Sequence, residues 1–555
     1  MSLQTAFEDY QAGRYDAAET KLAALAMREP DNSQCLHLAA MVAGKRGDYV
    51  TALKRIQSSL HNPEAAHEKL NTRGNILASL GMEVDAVASF EMALGQDRKY
   101  HVARRNLAAL LLDTAQPDKA AEVFADLIRA HPSDEAAHRG RVHALIEANE
   151  LHDAEVALKK APLEEAEKSA FRTRLHFYRG EFESVLGEAA RALGREENGA
   201  GPFAQSLQVL RMTGGWEMAD SLIEDTLARH PARADLWATG ITALHKAGET
   251  DTALQIYGRS PRELPTLLAR AEIALDQDHF TDAEALSLQA LEAQAGNPGA
   301  MRLAALASLG LEKWDQAQSI SGFGLQNDPN NQFYWAVKAT AGRAKGQDYG
   351  YYFNYADFVK PYDLKAPEGW KDMSVFNADL KAELDALHGF SGAPLDQTLR
   401  LGTQTAPDLR FVDSPAIKGF FAAVAPAVQS YIDGLPRNPK HAFLRRNTGA
   451  FRVRSAWSVR LGAGGHHVDH IHPEGWISSA YYVDVPKRKG KEGWIKFGEP
   501  PIAIGQGPEH EVEPKAGRLV LFPSYLWHGT YPITGEATRM TLPIDILPGR
   551  PQKPA

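Results

Sequence analysis

The stretch GGHHVDHIHPEGW, Gly464 to Trp476, places His466, His467, His470 and His472 with Asp469 inside seven positions. The chain has only 20 histidines in 555 residues, so this crowding asks for a cause. Imidazole nitrogens and carboxylate oxygens both bind divalent transition metals. On an extended strand, residues two apart share a face. The run therefore offers two competing pairs: His470 with His472, and His467 with Asp469. Either pair gives one metal two adjacent ligands, and a third must come from elsewhere. His528, in FPSYLWHGT, is the best candidate. Eleven residues later comes Arg539, with Thr541 two further on. A guanidinium and a hydroxyl on one strand face suit a carboxylate, which arginine holds through two parallel hydrogen bonds.

These residues need strands to position them. From about residue 450 the pattern is of short apolar runs closed by Gly or Pro: SAWSVRL, ISSAYYVDVP, GWIKFG, GRLVLFP and TRMTLPIDIL. In the last, Met540, Leu542, Ile544 and Ile546 alternate with Arg539, Thr541 and Asp545. Such spacing predicts a β-sandwich or barrel rather than a parallel βαβ sheet. Upstream, GTQT at 402–405 reads as a substrate loop or a turn. SPAIKGFFAAVAPAVQSYIDGL reads as one helix or two, with Ser414 as a cap.

Residues 1–345 have a different rhythm. Ala18, Ala52, Ala86, Ala120 and Ala154 are each 34 residues apart; Val185, Ala219, Ala253, Ala283 and Ala317 continue the series at 31, 34, 34, 30 and 34. Glycine often stands five residues upstream, as at Gly13, Gly47, Gly81, Gly180, Gly214 and Gly248. An aromatic often stands three upstream, as at Tyr15, Phe182 and Trp216, and is expected to pack rather than meet a ligand. Proline ends some units, at Pro30, Pro132, Pro231 and Pro329. Two helices per unit explain this. Glycine turns the chain, the small residue lets the helices approach, and proline stops the second helix. The pattern resembles the tetratricopeptide repeat (TPR), with about ten units forming an all-α solenoid. The resemblance implies a concave groove that takes a peptide or protein partner. A second domain is expected at 346–555.

Composition is that of a soluble globular protein, 44% apolar and 24% charged. A net charge of -9 argues against a nucleic-acid partner. One cysteine, Cys35, precludes an internal disulfide and suits a reducing compartment. The N-terminal residues show no basic-then-apolar leader, and no run approaches 18 apolar residues. A cytoplasmic protein with no membrane partner is expected.

Three protein ligands on one face of an octahedral ion, with the rest open, is the arrangement of non-haem Fe(II) oxygenases. HIHPEGWISSAYYVDVP, VEPKAGRLVLFPSYLWHGTYP and TRMTLPIDILP together resemble a bacterial and phage family of 2-oxoglutarate/Fe(II) dioxygenases. Its core is a double-stranded β-helix, or jelly roll. The resemblance covers roughly residues 350–550. It implies Fe(II) on His470, His472 and His528, and 2-oxoglutarate on Arg539 and Thr541, with Tyr481 and Tyr482 bordering the site. It also implies oxidative decarboxylation to succinate and carbon dioxide, coupled to hydroxylation. The wider superfamily uses His-x-Asp, which His467 and Asp469 match better. A two-histidine site on His470 and His528 would be similar to the aspartyl/asparaginyl β-hydroxylases, which also carry TPR-like helices. Two roles compete with a peptide hydroxylase: an oxygenase of small molecules, and a non-catalytic TPR adaptor with a degenerate jelly roll. The structural alternative for Arg539 is an ion pair with Asp545, and for the two tyrosines it is sheet packing.

Overall fold

The small residues of the 34-residue rhythm all sit where helices cross. Ala18, Ala52, Ala86, Ala120, Ala154, Val185, Ala219, Ala253, Ala283 and Ala317 are fully buried. The computed structural model describes residues 2–194, 200–347, 350–390, 392, 397–487, 489–534 and 538–549. Among these, 21 helices run from Leu3–Gln11 to Gln332–Ala344. The turn inside each pair needs a left-handed residue. The six glycines five positions upstream of the small residue all have positive φ, from 68° to 88°. In the units without glycine, Ala115, Asn149, Asp278 and Glu312 occupy the same place at φ 54° to 58°. Backbone geometry is thus stricter than sequence, and the non-glycine residues accept a penalty of roughly 1–2 kcal/mol each.

Two compact units divide the chain. One comprises Met1–Glu147, Lys159–Pro162 and Gly324–Asn330; the other comprises Ala148–Leu158, Leu163–Phe323 and Asn331–Ala555. The second unit holds the later helices and every described strand. In it, the helices from Leu264–Asp276 onward share one apolar core with the strands, including Leu303, Val337, Trp527 and Ile544. The indole of Trp527 donates to the Thr340 hydroxyl at 3.0 Å.

The strands are β1 (Lys360–Asp363), β2 (Leu399–Gln404), β3 (Phe451–Ala456), β4 (Val459–His467), β5 (Ile477–Asp484), β6 (Ile495–Phe497), β7 (His510–Val512), β8 (Arg518–Pro523), β9 (His528–Thr530), β10 (Arg539–Thr541) and β11 (Ile544–Pro548). One sheet runs β1-β8-β5-β10-β4-β2, with β11 pairing β3 and β5; a second runs β7-β6-β9. Every strand pairing is antiparallel. A helical repeat array followed by an antiparallel β region is the fold class read from the sequence, and these sheets are compatible with a jelly roll.

Three local expectations are corrected. SAWSVRL is not one strand: β3 ends at Ala456 and β4 begins at Val459, because the chain leaves β11 for β10 and β2. TRMTLPIDIL breaks at Leu542-Pro543, since proline has no N–H for the ladder. GTQT is neither loop nor turn for most of its length, as β2 runs to Gln404. The Ser414 hydroxyl does cap a helix, accepting from Ile417 N, and that helix is a single Pro415–Gly434 element.

His388, just past the helix Met373–Leu387, ties β2 to the residue that precedes β4. Its Nδ1 lies 2.8 Å from Thr403 Oγ1 and its Nε2 3.0 Å from Ser458 Oγ. Burial, and then the nearby Arg460, hold the imidazole down to about 4 from an ordinary 6.5. The neutral form is therefore favoured in the fold. Its stabilisation is complete above about pH 6.5 and is lost as pH falls toward 4. Relative to His388→Gln, the wild type should lose about 3 kcal/mol over that window, read from denaturant midpoints; a pH-independent difference would rule this out. Ala115→Gly should raise stability by about 0.5–1 kcal/mol through its left-handed turn, and a fall in the unfolding midpoint would contradict the strain at that position.

Candidate functional site

His470 lies between β4 and β5, and His528 opens β9. They form an isolated antiparallel bridge, each backbone N–H donating to the other's carbonyl at 2.9 Å. Two residues on, His472 N–H donates to Ser524 O at 3.1 Å. These backbone bonds bring three imidazoles together. Ring centroids are 4.2 Å apart for His470 and His528, 5.3 Å for His470 and His472, and 5.1 Å for His472 and His528. One nitrogen from each ring lies within 4.8 Å of the others.

Hydrogen bonds fix which nitrogen that is. Nδ1 of His470 meets Val468 O at 2.7 Å, and Nδ1 of His528 meets Leu526 O at 2.9 Å. Nδ1 of His472 meets Asp545 Oδ1 at 2.6 Å. A carbonyl and a carboxylate only accept, so each Nδ1 carries the proton. Each Nε2 is left with a free lone pair, the state a metal requires. Burial, followed by neighbouring histidines, pushes the imidazole of His470 down to about 3 and that of His528 well below its usual range. Both rings stay neutral at physiological pH.

The competing pair is placed differently. Asp469 does not join the cluster; its Oδ2 meets Lys496 Nζ at 2.8 Å. Burial raises its carboxyl to about 6 despite that lysine. His467 borders the same cavity, with its ring 5.8 Å from that of His470. Its Nδ1 faces Thr398 Oγ1 at 3.2 Å, and its N–H donates to Thr530 Oγ1 at 2.9 Å. His467 and Asp469 thus flank the cluster from the β4 end without entering it.

The three rings open onto a cavity of about 430 Å³. Arg539, Thr541 and Asp545 line it as well, so the alternation along 539–545 survives the break at Pro543. Arg539 is 3% exposed. It makes no ion pair with Asp545, whose Oδ1 is taken by His472 and by the Ser478 hydroxyl at 2.8 Å. The Arg539 guanidinium lies over the Tyr482 ring at 4.9 Å. Its Nε and Nη1 are buried with no hydrogen-bond partner among the described residues. A buried cation with two unsatisfied donors costs several kcal/mol unless an anion arrives. The site thus fits an oxygen-donor anion at Arg539 and a metal at the imidazoles. Tyr482 serves as the platform under Arg539. Tyr481 is not brought to the cavity: its hydroxyl donates to Asn377 Oδ1 at 2.6 Å and its ring packs on Phe420.

Sequence reasoning missed Asp545 as the group that orients His472. The signal was present, since Asp545 shares its strand face with Arg539 and Thr541. A carboxylate that holds a ligand histidine typically contributes 10–100-fold to metal affinity. Asp545→Asn should therefore weaken Co(II) binding by about that factor, followed by the visible d–d spectrum. Asp469→Asn should leave it within about threefold; the reverse ranking would place the metal on the other pair.

The family described as "Putative 2OG-Fe(II) oxygenase" matches residues 455–545. No curated protein matches the sequence. Solved structures similar to this chain include a tetratricopeptide repeat protein from Parabacteroides merdae, at 16% identity, covering 50% of this chain and 98% of that one, TM-score 0.31. The C-terminal part of a TPR repeat-containing protein from Cytophaga hutchinsonii is 14% identical, covering 54% and 99%, TM-score 0.32. Yeast Tom70 is 12% identical, covering 62% and 88%, TM-score 0.32. At such scores they add nothing to the array already described. The match spans all three clustered histidines, Arg539, Thr541 and Asp545: the β region that follows the helical repeat array is similar, over residues 455–545, to the family described as "Putative 2OG-Fe(II) oxygenase".

Proposed function

We propose that the protein is an Fe(II)- and 2-oxoglutarate-dependent dioxygenase that hydroxylates a peptide or protein substrate. The observation that carries this is the pairing, in one cavity, of three imidazoles with fixed tautomers and one buried arginine without an anion. Nε2 of His470, His472 and His528 would hold the iron. Arg539, with Thr541 beside it, would bind the far carboxylate of 2-oxoglutarate. When bound, iron and 2-oxoglutarate supply the oxidative decarboxylation that leaves succinate and carbon dioxide and puts oxygen on a substrate C–H bond. The chain's own part is positional. Asp545 keeps His472 in register and in its Nδ1–H tautomer. Tyr482 sets the guanidinium plane. Phe522 and Ile495, both buried, line the cavity as apolar surface beside the rings. A complete set of ligands and an unpaired arginine disfavour the adaptor with a degenerate domain.

The helical array supports a peptidyl substrate, because its later helices share a compact unit with the cavity. A chain held by the helices would raise the local concentration of one residue at the iron. A small-molecule substrate is the second enzymatic reading. Among the described residues no helix is long and apolar enough to cross a membrane, and the buried single thiol of Cys35 suits the cytoplasm.

The test is an anaerobic titration of the full chain with Fe(II) and then 2-oxoglutarate. A visible metal-to-ligand charge-transfer band is expected. Arg539→Gln should keep the iron but need at least tenfold more 2-oxoglutarate, since a charged contact of about 1.5–3 kcal/mol is removed. An iron-loaded, folded protein with no band would contradict the 2-oxoglutarate assignment.

A further inference from the structure

A second cavity, of about 580 Å³, lies in the same compact unit and takes no part in the reaction proposed above. Among the described residues its lining presents four cations, Arg211, Lys246, Arg400 and Arg460, and no carboxylate. Trp216 and Leu401 add apolar surface. Trp216 is 46% exposed, with the Arg211 guanidinium over its ring at 4.6 Å.

Three of the cations are fixed by carboxylates outside the lining. Arg211 pairs with Asp220 at 2.6 Å and Glu249 at 2.7 Å. Lys246 pairs with Glu272 at 3.1 Å and Asp276 at 3.3 Å, and Arg460 with Asp385 at 3.1 Å. Arg400 has no carboxylate partner among the described residues; its Nη1 donates to the carbonyls of Gln397 and Leu399 at 3.0 and 3.1 Å. Nε of Arg211, a residue 2% exposed, is buried without a hydrogen-bond partner among the described residues. Five carboxylates thus balance three of the cations, and Arg400 remains the one cation of the described lining with no carboxylate partner.

The wall it shares with the histidine cavity is β2. Thr398 and Gln404, flanking and ending that strand, border the histidines, whereas Leu399 to Thr403 border the cations. β2 ends the sheet order, so its outer edge carries no strand among the described residues. Leu401, at φ 53°, interrupts the ladder, and the register with β4 shifts between Arg400 and Gly402.

From this juxtaposition we propose that the cationic cavity docks acidic side chains of an extended peptide substrate, whose neighbouring residue passes β2 into the histidine cavity. The proposal rests on the oxygenase reading for what happens to that residue. An extended chain advances about 3.3 Å per residue, so a few acidic residues suffice to fill the cavity. A phosphate backbone would instead call for a long basic stripe, whereas Arg400 is the one cation of the described lining without a carboxylate partner.

The probe is fluorescein-labelled hexaglutamate, with hexaglutamine and hexathymidylate beside it, read by anisotropy on the full chain. Saturable hexaglutamate binding is expected, falling with salt, weakened at least tenfold in Arg400→Glu and retained in Arg400→Lys. Arg400 is exposed, and circular dichroism checks that the variant is folded. Three results would overturn the proposal: no binding, binding unchanged in Arg400→Glu, or equally tight hexathymidylate binding through Arg400. The charge-transfer band is recorded on the same wild-type sample. Arg400-dependent peptide binding without the band upholds the docking site and removes the oxygenase reading. The band without peptide binding does the opposite.

Discussion

The reciprocal backbone bridge between His470 and His528 is the constraint on which the site depends. It joins the segment after β4 to the opening of β9, which belongs to the other sheet. Both imidazoles are then placed by main-chain geometry rather than by flexible side-chain choice. The local carbonyls of Val468 and Leu526 finish the work by taking the Nδ1 protons. Only His472 needs a distant partner, and Asp545 provides it from β11. The three lone pairs converge because three acceptors stand behind them. Arg539 reaches the same cavity through β10, held between β4 and β5. Its unpaired charge is tolerable only where an anionic ligand is expected.

Much of this was legible in the sequence, for reasons that can be named. The period-two alternation after Arg539 assigned Arg539, Thr541 and Asp545 to one face, and the cavity lining agrees. The 34-residue recurrence of a small residue reported helix crossings, because any larger side chain would hold the helices apart. The rivalry between His470/His472 and His467/Asp469 was not resolvable that way, since both pairs have the same spacing. What separates them in space is Lys496, which holds Asp469, and β6 carries that lysine from a separate part of the chain. The breaks at Trp457-Ser458 and Leu542-Pro543 also escaped. They occur where a strand changes partners, and that is a property of the sheet, not of the local run.

The array and the β region are coupled through packing rather than through a linker. Core residues of the last helices, such as Leu303 and Val337, lie in one apolar cluster with Trp527 of the loop that carries His528. Arg343, on the final helix, pairs with Glu509 at 2.6 Å and donates to Gly498 O at 2.8 Å. A change in those helices therefore bears on the segment that presents His528. The cationic cavity extends this logic, because its lining draws on the helices at Arg211 and Lys246 and on β2 and β4 at Arg400 and Arg460.

The most direct test of the account is the X-ray absorption spectrum of the Fe(II)-loaded chain, prepared without oxygen. Three imidazole ligands are predicted from the ring scattering, with one lost in each of His470→Ala, His472→Ala and His528→Ala. Two imidazoles or fewer in the wild type, with the signal sensitive to His467→Ala or Asp469→Ala, would contradict it.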